Sequence, residues 1–391
     1  MRIRRLSLKN WMNYQKLDTE ALADRVFIIG PNASGKSNLL DALRFLRDVA
    51  LPAGKKPSGG GLQKAVNDRE GLSKIRCLNA KNDTEVSIEV ELEDDGGVIW
   101  HYELGFKGEG KANNRIKVTK EIVSKSDDPK PVLARPDKED LLDSERLTQT
   151  HLELTTANVL FRQLAHFFSE TTYLHLVPQL LKYANAIGGS VVEQDPFGQG
   201  FLHRVAAAGD KTRNSRLNRI QKALDAVVPY FKELRFVKDQ VSGHPHIEAN
   251  FTHWRPKGAW QRESQFSDGT LRLIGLLWSL MEGNSLLLIE EPELSLNEEI
   301  VRHLPKLILQ IQRKSKSTRQ VFITTHSEAL LSDRSIPPEE VIRLMPEAKG
   351  TRIHPMEPEE KIMISSGLPV GEVLLKATAP KEVGQLELSL Q

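Results

Sequence analysis

Two kinds of apolar run alternate along the chain. Arg25-Val26-Phe27-Ile28-Ile29, Leu286-Leu287-Leu288-Ile289 and Val321-Phe322-Ile323 are short, continuous and β-rich, and predict strands buried on both faces. Residues 84–92 instead alternate apolar and polar with period two, the mark of a half-buried strand. A turn at Asp94-Asp95-Gly96-Gly97 leads to a second such strand over 98–106, and 115–123 reads as a third, giving an antiparallel meander. Residues 1–29 read as short strands. Helical spacing appears over 38–46 and 271–277. It also appears over 141–183, interrupted near Pro178, and over 214–234, broken around Pro229. Strand character returns over 236–251. The stretch 125–140, rich in Lys, Asp and Pro, predicts a loop or lobe boundary, and 52–61 and 188–200 predict loops. The fold class expected is α/β, with an N-terminal part over 1–125, a helical insertion over 141–235, a C-terminal part over 236–345 and a closing segment over 346–391.

Composition alters this picture little. A chain of 391 residues suits two lobes and a sizeable core, and 39% hydrophobic with 27% charged residues is ordinary for a globular protein. No apolar run is long enough to span a bilayer, and the N-terminus lacks the apolar stretch of a signal peptide. Cys77, the single cysteine, excludes an intrachain disulfide and a multi-cysteine metal site. Together these favour the cytoplasm. The net charge of +2 neither demands nor excludes nucleic acid. His244-Pro245-His246 reads as a turn rather than a metal site, because no further ligand stands at a suitable spacing.

The chemistry begins at Gly30-Pro31-Asn32-Ala33-Ser34-Gly35-Lys36-Ser37, which fits the P-loop pattern G-x-x-x-x-G-K-[ST]. A buried strand precedes it and a helix beginning with Asn38 follows. That context gathers backbone N–H groups and a helix N-terminus around one anion. Lys36 is placed to reach the β- and γ-phosphates and Ser37 to hold Mg²⁺. A P-loop alone does not name a reaction.

Three later motifs narrow the choice. Ser267, Asp268 and Gly269 sit at the start of a helix, where a hydroxyl, backbone N–H groups and the helix dipole can meet an anion, or simply cap the helix. Glu290 and Glu291 emerge at the C-terminal end of a buried strand, where ligands bind in open α/β sheets. Successive strand residues face opposite ways, so Glu290 can serve the metal while Glu291 polarises an attacking water. His326 ends another buried strand, where a neutral imidazole can touch the γ-phosphate and the water. Each has a bland alternative: a capped helix, a charged strand end, a structural histidine. Their order along the chain makes them jointly specific.

With these residues the chain resembles an ABC-type ATPase head of the SMC/RecF/OLD group, a P-loop NTPase fold. Gly30–Ser37 matches Walker A, and Ser267-Asp268-Gly269-Thr270 matches the signature, with Asp268 where many members have glycine. Glu290-Glu291 matches Walker B and the catalytic glutamate, with Glu290 where aspartate is usual. Leu294-Ser295-Leu296-Asn297 matches the D-loop and His326 the switch histidine. The resemblance covers 1–125 and 236–335 well and the insertion poorly. It implies ATP and Mg²⁺ as cofactors and two heads sandwiching two ATP molecules, with Ser267 acting in trans. Closure on binding and opening on hydrolysis would make a switch rather than a metabolic enzyme. Gln63 stands where a Q-loop glutamine would report the metal and γ-phosphate, or is an ordinary surface glutamine. Residues 9–14 stand where such heads approach the base, or form a strand–turn–strand edge with a packed Trp11. The Asp268 and Glu290 departures bear on the speed of hydrolysis, not on nucleotide binding.

The resemblance places the chain in DNA repair or anti-phage defence, acting with DNA or with a separately encoded effector such as a nuclease. After His326 there is no D-x-D pair, so the chain is not expected to be a nuclease itself, and no long heptad run supports a tether. The competing expectation is a nucleotide-dependent protein-binding scaffold with negligible hydrolysis. A small-molecule kinase fits the signature, D-loop and His326 less well. Gln385-Leu386-Glu387-Leu388-Ser389-Leu390 resembles a sliding-clamp-binding peptide, an extended segment whose alternate apolar residues fill a groove, or is a plain tail.

Overall fold

In the computed structural model, β1 (Arg2–Trp11) and β2 (Tyr14–Asp18) form an antiparallel hairpin that runs on to the buried strand β3 (Arg25–Ile29). The structure describes residues 1–52, 59–80, 83–110, 115–184, 195–252, 259–314 and 319–378. These residues fall into two units. The first comprises Met1–Thr171, Ser285–Leu288 and the chain from Thr318, and the second Thr172–Asn284 and Ile289–Ser317.

In the first unit the helix α1 (Lys36–Ala50) follows the P-loop and buries Leu39, Leu43, Phe45 and Leu46. Beyond it come β4 (Val86–Glu93), β5 (Ile99–Glu109), β6 (Arg115–Lys125) and β7 (Asp128–Arg135). They complete a six-stranded sheet in the order β2-β1-β4-β5-β6-β7. β4 buries every second residue, as its alternation predicts. Phe45 of α1 meets this sheet with its ring 5.2 Å from both Trp11 and Phe106.

The meander thus has one strand more than the sequence suggests. β7 lies in the stretch expected to be a loop, and carries Pro129 and Pro131. It is the edge strand, where a proline's missing N–H forfeits no ladder bond. At the end of β7, Arg135 is buried between Glu121 (3.0 Å) and Asp140 (2.9 Å), which fastens the strand.

A second sheet carries β3 at its centre. β13 (Val321–Thr324) and β14 (Val341–Glu347) lie parallel to it on either side, and β15 (Gly350–Ile353) pairs antiparallel with β14. β3 and β13 are buried throughout, as continuous apolar runs in a parallel sheet should be. The buried amide of Gln320 ties this sheet to the first: its oxygen accepts from Ile3 N–H (2.9 Å) and its nitrogen donates to the carbonyls of Ile3 and Ala23 (both 2.8 Å). Strand β12 (Leu287–Glu290), next to β13, begins in the first unit and ends in the second.

In the second unit β8 (Thr172–Leu174) neighbours β12. β9 (Phe231–Lys238), β10 (Pro245–Phe251) and β11 (Ala259–Arg262) make a three-stranded antiparallel sheet. The long helix Asp268–Leu280 buries nearly its whole length. His246 belongs to β10 rather than to the expected turn, and its Nδ1 lies 2.7 Å from Glu263, just past β11.

The expected helical insertion over 141–235 is not one body. Its residues up to Thr171 belong to the first unit and those from Thr172 to the second. Among the described residues its helices are short, apart from Asp210–Asp225, and are separated by turns and by β8. Pro178 starts a helix rather than interrupting one, because its missing N–H is harmless at the first helical position.

Candidate active site

The P-loop occupies the turn between β3 and α1, in the first unit. Ala33 and Gly35 adopt left-handed backbone (φ 62° and 92°), which curls the loop so that Ser34 N–H reaches Pro31 O (3.2 Å). A side chain at Gly30 would strike Leu344 O at 2.4 Å, and one at Gly35 would strike the Asn13 amide at 2.2 Å, so both positions need glycine. Lys36 is 7% exposed, and its Nζ donates to Gly30 O (3.1 Å) and Pro31 O (3.2 Å) across the loop. Ser37, in the first turn of α1, is exposed. The arrangement is a ring of backbone around a lysine at a helix N-terminus, the form that holds phosphate.

Residues 9–14 brace this loop from outside. Asn13 Nδ2 donates to Ser34 O (3.0 Å), Tyr14 OH to Gly35 O (2.7 Å) and Trp11 Nε1 to Asn38 O (2.8 Å), while Asn38 donates to Asn13 Oδ1 (2.8 Å). Trp11 is fully buried, so its ring packs in the core. Burial pushes the Tyr14 phenol well above its usual range, which keeps it a neutral donor. Beside the loop lies a cavity of about 770 Å³, lined by Met12, Asn13, Ala33, Asn38, Arg76 and Thr351 among others.

His326 also belongs to the first unit. β13 runs parallel to β3, with Thr324 opposite Ile28 and Thr325 N–H on Ile28 O (3.2 Å). The exposed His326 therefore leaves its strand alongside the point where β3 enters the P-loop. Ser327 then caps the helix Glu328–Leu331, accepting from Leu330 N–H (3.2 Å).

Gln63 departs from its expected role at the metal. It sits in the short helix Leu62–Asn67, where its Nε2 donates to Ile116 O and Thr148 O (both 2.8 Å) and its Oε1 accepts from Ile116 N–H (3.1 Å). Its amide is spent on joining β6 to the segment after β7. Glu153 secures the same helix by accepting Leu62 N–H (2.8 Å), and burial pushes its carboxyl up to about 7. Gln63→Ala should accordingly lower stability by about 2 kcal/mol, since it strands three half-buried backbone groups. ATP affinity should stay within about twofold of the unaltered chain, as an uninvolved side chain is worth under 0.5 kcal/mol. Denaturant melts and a nucleotide titration check both.

The second unit holds the remaining predicted residues. Ser267 caps the helix Asp268–Leu280, its Oγ accepting from Thr270 N–H (3.2 Å) and lying 2.8 Å from Thr270 Oγ1. The hydroxyl is exposed, so capping and presentation to an anion coexist at this helix end. Asp268, the departure from glycine, is engaged within the unit: Gln179 Nε2 donates to it (2.6 Å) and Lys182 Nζ lies 3.9 Å away while donating to Phe266 O (2.9 Å). At Gly269 a side chain would meet Ser295 O at 2.6 Å, so the signature glycine lets the helix start lie against the D-loop backbone.

Glu290 ends β12, with its side chain 11% exposed, and accepts a 2.6 Å hydrogen bond on Oε2 from Tyr173 OH. Glu291 follows in left-handed backbone (φ 42°), a conformation costly for a non-glycine residue and characteristic of functional turns. Buried Arg272 fixes that turn by donating from Nη1 to Glu291 O (3.0 Å) and from Nη2 to Leu176 O. Burial lowers the Arg272 pKa from its usual value, opposed by Glu293 and Glu291.

Tyr173, His175, Gln179, Lys182 and Arg272 went unrecognised in the sequence because none belongs to a motif. The β-rich run Thr171-Thr172-Tyr173-Leu174, just before Pro178, was the available sign of a strand. Residues 379–391, which include the expected clamp-binding peptide, lie outside the described residues, as do 53–58 of the loop expected over 52–61.

The pattern of the family described as "AAA domain, putative AbiEii toxin, Type IV TA system" matches residues 25–332, from β3 through His326. The chain belongs to this AAA domain family. Its fold is that of a P-loop NTPase of α/β class. The DNA replication and repair protein RecF of Agathobacter rectalis is 31% identical over 96 residues, a stretch that spans 25% of each chain. An SMC head solved with the C-terminal winged-helix domain of ScpA aligns over 93% of this chain and 99% of its own, at a TM-score of 0.53 and 14% identity, a likeness of fold. An SMC head domain from Thermotoga maritima covers 91% of this chain at 17% identity and a TM-score of 0.46. Among the described residues, no helix is long and apolar enough to cross a membrane.

Proposed function

We propose that the chain is an ATP-binding and ATP-hydrolysing switch that closes as a homodimer. The P-loop carries this reading: a buried lysine set across a curled loop at the start of a helix is built to hold a polyphosphate. In this account the backbone of 30–36 and Lys36 bind the β- and γ-phosphates, and the cavity beside Ala33 and Asn38 receives the nucleoside. Ser37 and Glu290 supply a hydroxyl and a carboxylate, hard oxygen donors of the kind Mg²⁺ takes beside nucleotide phosphates. ATP with Mg²⁺ contributes the scissile phosphoanhydride bond and neutralises charge on the γ-phosphate. Glu291 polarises the attacking water and accepts its proton, and His326 contacts the γ-phosphate and that water. ADP and phosphate are the products.

Ser267, with Asp268 and Gly269, completes the site of the partner head, so binding favours closure and hydrolysis favours opening. The role in the cell is DNA repair or anti-phage defence in the cytoplasm, acting with DNA or with a separately encoded effector. The family description and the RecF match support that setting. Steady-state phosphate release by the purified chain tests the enzymatic part. Turnover that depends on Mg²⁺ and on Glu291 is the expected result. ATP binding without any phosphate release would replace the enzyme with a nucleotide-dependent scaffold.

A further inference from the structure

We propose that Tyr173 and His175 are positioning residues for Glu290, holding the one carboxylate that serves Mg²⁺. The proposal rests on the reading of Glu290 given above. The Tyr173 hydroxyl, which donates, and the His175 imidazole, which stands beside it without a hydrogen bond, converge from β8 and its exit on a single oxygen. Tyr173 OH lies 2.6 Å from Glu290 Oε2 and His175 Nδ1 lies 3.3 Å from the same atom. A length of 2.6 Å falls in the range of an O–H bond to an ionised carboxylate. Tyr173 is 7% exposed, so its hydroxyl meets Glu290 out of bulk water, where such a bond is strongest.

The two side chains are themselves fixed in place. His175 N–H donates to Pro196 O (2.8 Å) and Val177 N–H to Phe197 O (3.1 Å), while the Phe197 ring stands edge-on to the imidazole at 6.3 Å. Arg272 grips the carbonyl of Leu176 between them and simultaneously holds Glu291 O. The same few residues therefore set the side chain of Glu290 and the backbone of Glu291.

This arrangement answers the departure noted at this position. A glutamate has one more rotatable bond than the aspartate usual there, and an unrestrained carboxylate would spread over several rotamers. Anchoring Oε2 selects one of them and so fixes where the other oxygen points. Outer partners of this kind orient metal ligands, and losing one typically weakens metal affinity by roughly 10- to 100-fold.

The test is the affinity for a fluorescent ATP analogue as a function of Mg²⁺ concentration, a readout independent of turnover. It is measured for the unaltered chain, Tyr173→Phe, Glu290→Gln and the double variant. Tyr173→Phe should raise the half-saturating Mg²⁺ concentration by roughly 10-fold. In the Glu290→Gln background the same change should add less than about twofold, because coupled residues lose their effect together. His175→Gln, which keeps a polar group near Oε2, should shift the midpoint less than His175→Ala. These two decide the matter if Tyr173→Phe fails to fold. A Tyr173→Phe or His175→Ala titration that superimposes on the unaltered one, while Glu290→Gln shifts it, would overturn this proposal and leave the ATPase reading standing. An unaltered chain whose ATP affinity ignores Mg²⁺ would instead remove the role of Glu290, and this inference with it.

Discussion

Glu291→Gln should lower steady-state phosphate release by at least roughly 100-fold while leaving ATP bound, since a positioned general base is worth about 10² to 10⁴ in rate. The change is nearly isosteric. It leaves the backbone carbonyl that Arg272 holds, and so the left-handed turn at φ 42°, intact. What it removes is the charge that polarises water. Binding draws on other groups, the P-loop backbone and Lys36, so an affinity within a few-fold of the unaltered chain is expected. A phosphate-release assay and a nucleotide titration on the same preparation separate the two effects. Loss of binding together with turnover would mean that Glu291 supports the fold of the site rather than the chemistry.

Lys36→Ala should weaken ATP binding by roughly 100-fold or more, because hydrogen bonds to charged groups contribute about 1.5–3 kcal/mol each. Two losses combine. The phosphates lose their cation, and Gly30 O and Pro31 O lose the donor that spans the loop. The braces from Asn13 and Tyr14 hold other carbonyls, Ser34 O and Gly35 O, and remain, so the fold should hold. Calorimetric titration with ATP and Mg²⁺, beside a thermal melt, reads both. Unchanged affinity would remove the P-loop from the account.

The parts of this site that were legible in the sequence are those whose residue type is set by the backbone. Gly30, Gly35 and Gly269 each stand where a side chain would meet a neighbouring atom at 2.6 Å or less. β3 and β13 are short continuous apolar runs because parallel strands are buried on both faces. What was not legible depends on partners distant in the chain. β7 was hidden by Pro129 and Pro131, which only its edge position makes acceptable. β8 was hidden because three residues carry too little periodicity to stand out from helical neighbours. Gln63 looked like a metal ligand because its position along the chain fitted, whereas its amide is taken up by β6. Tyr173 and Glu290 are 117 positions apart, and no local pattern links them.

ATP is expected to drive two heads together. The mass of the purified chain in solution, by light scattering with and without ATP and Mg²⁺, tests it most directly, with Glu291→Gln used to hold the bound state. A monomer is expected without nucleotide and a dimer or larger assembly with it, lost again on Ser267→Arg. A monomer that keeps its mass at saturating ATP would contradict it and would remove Ser267 from any role in a partner's site.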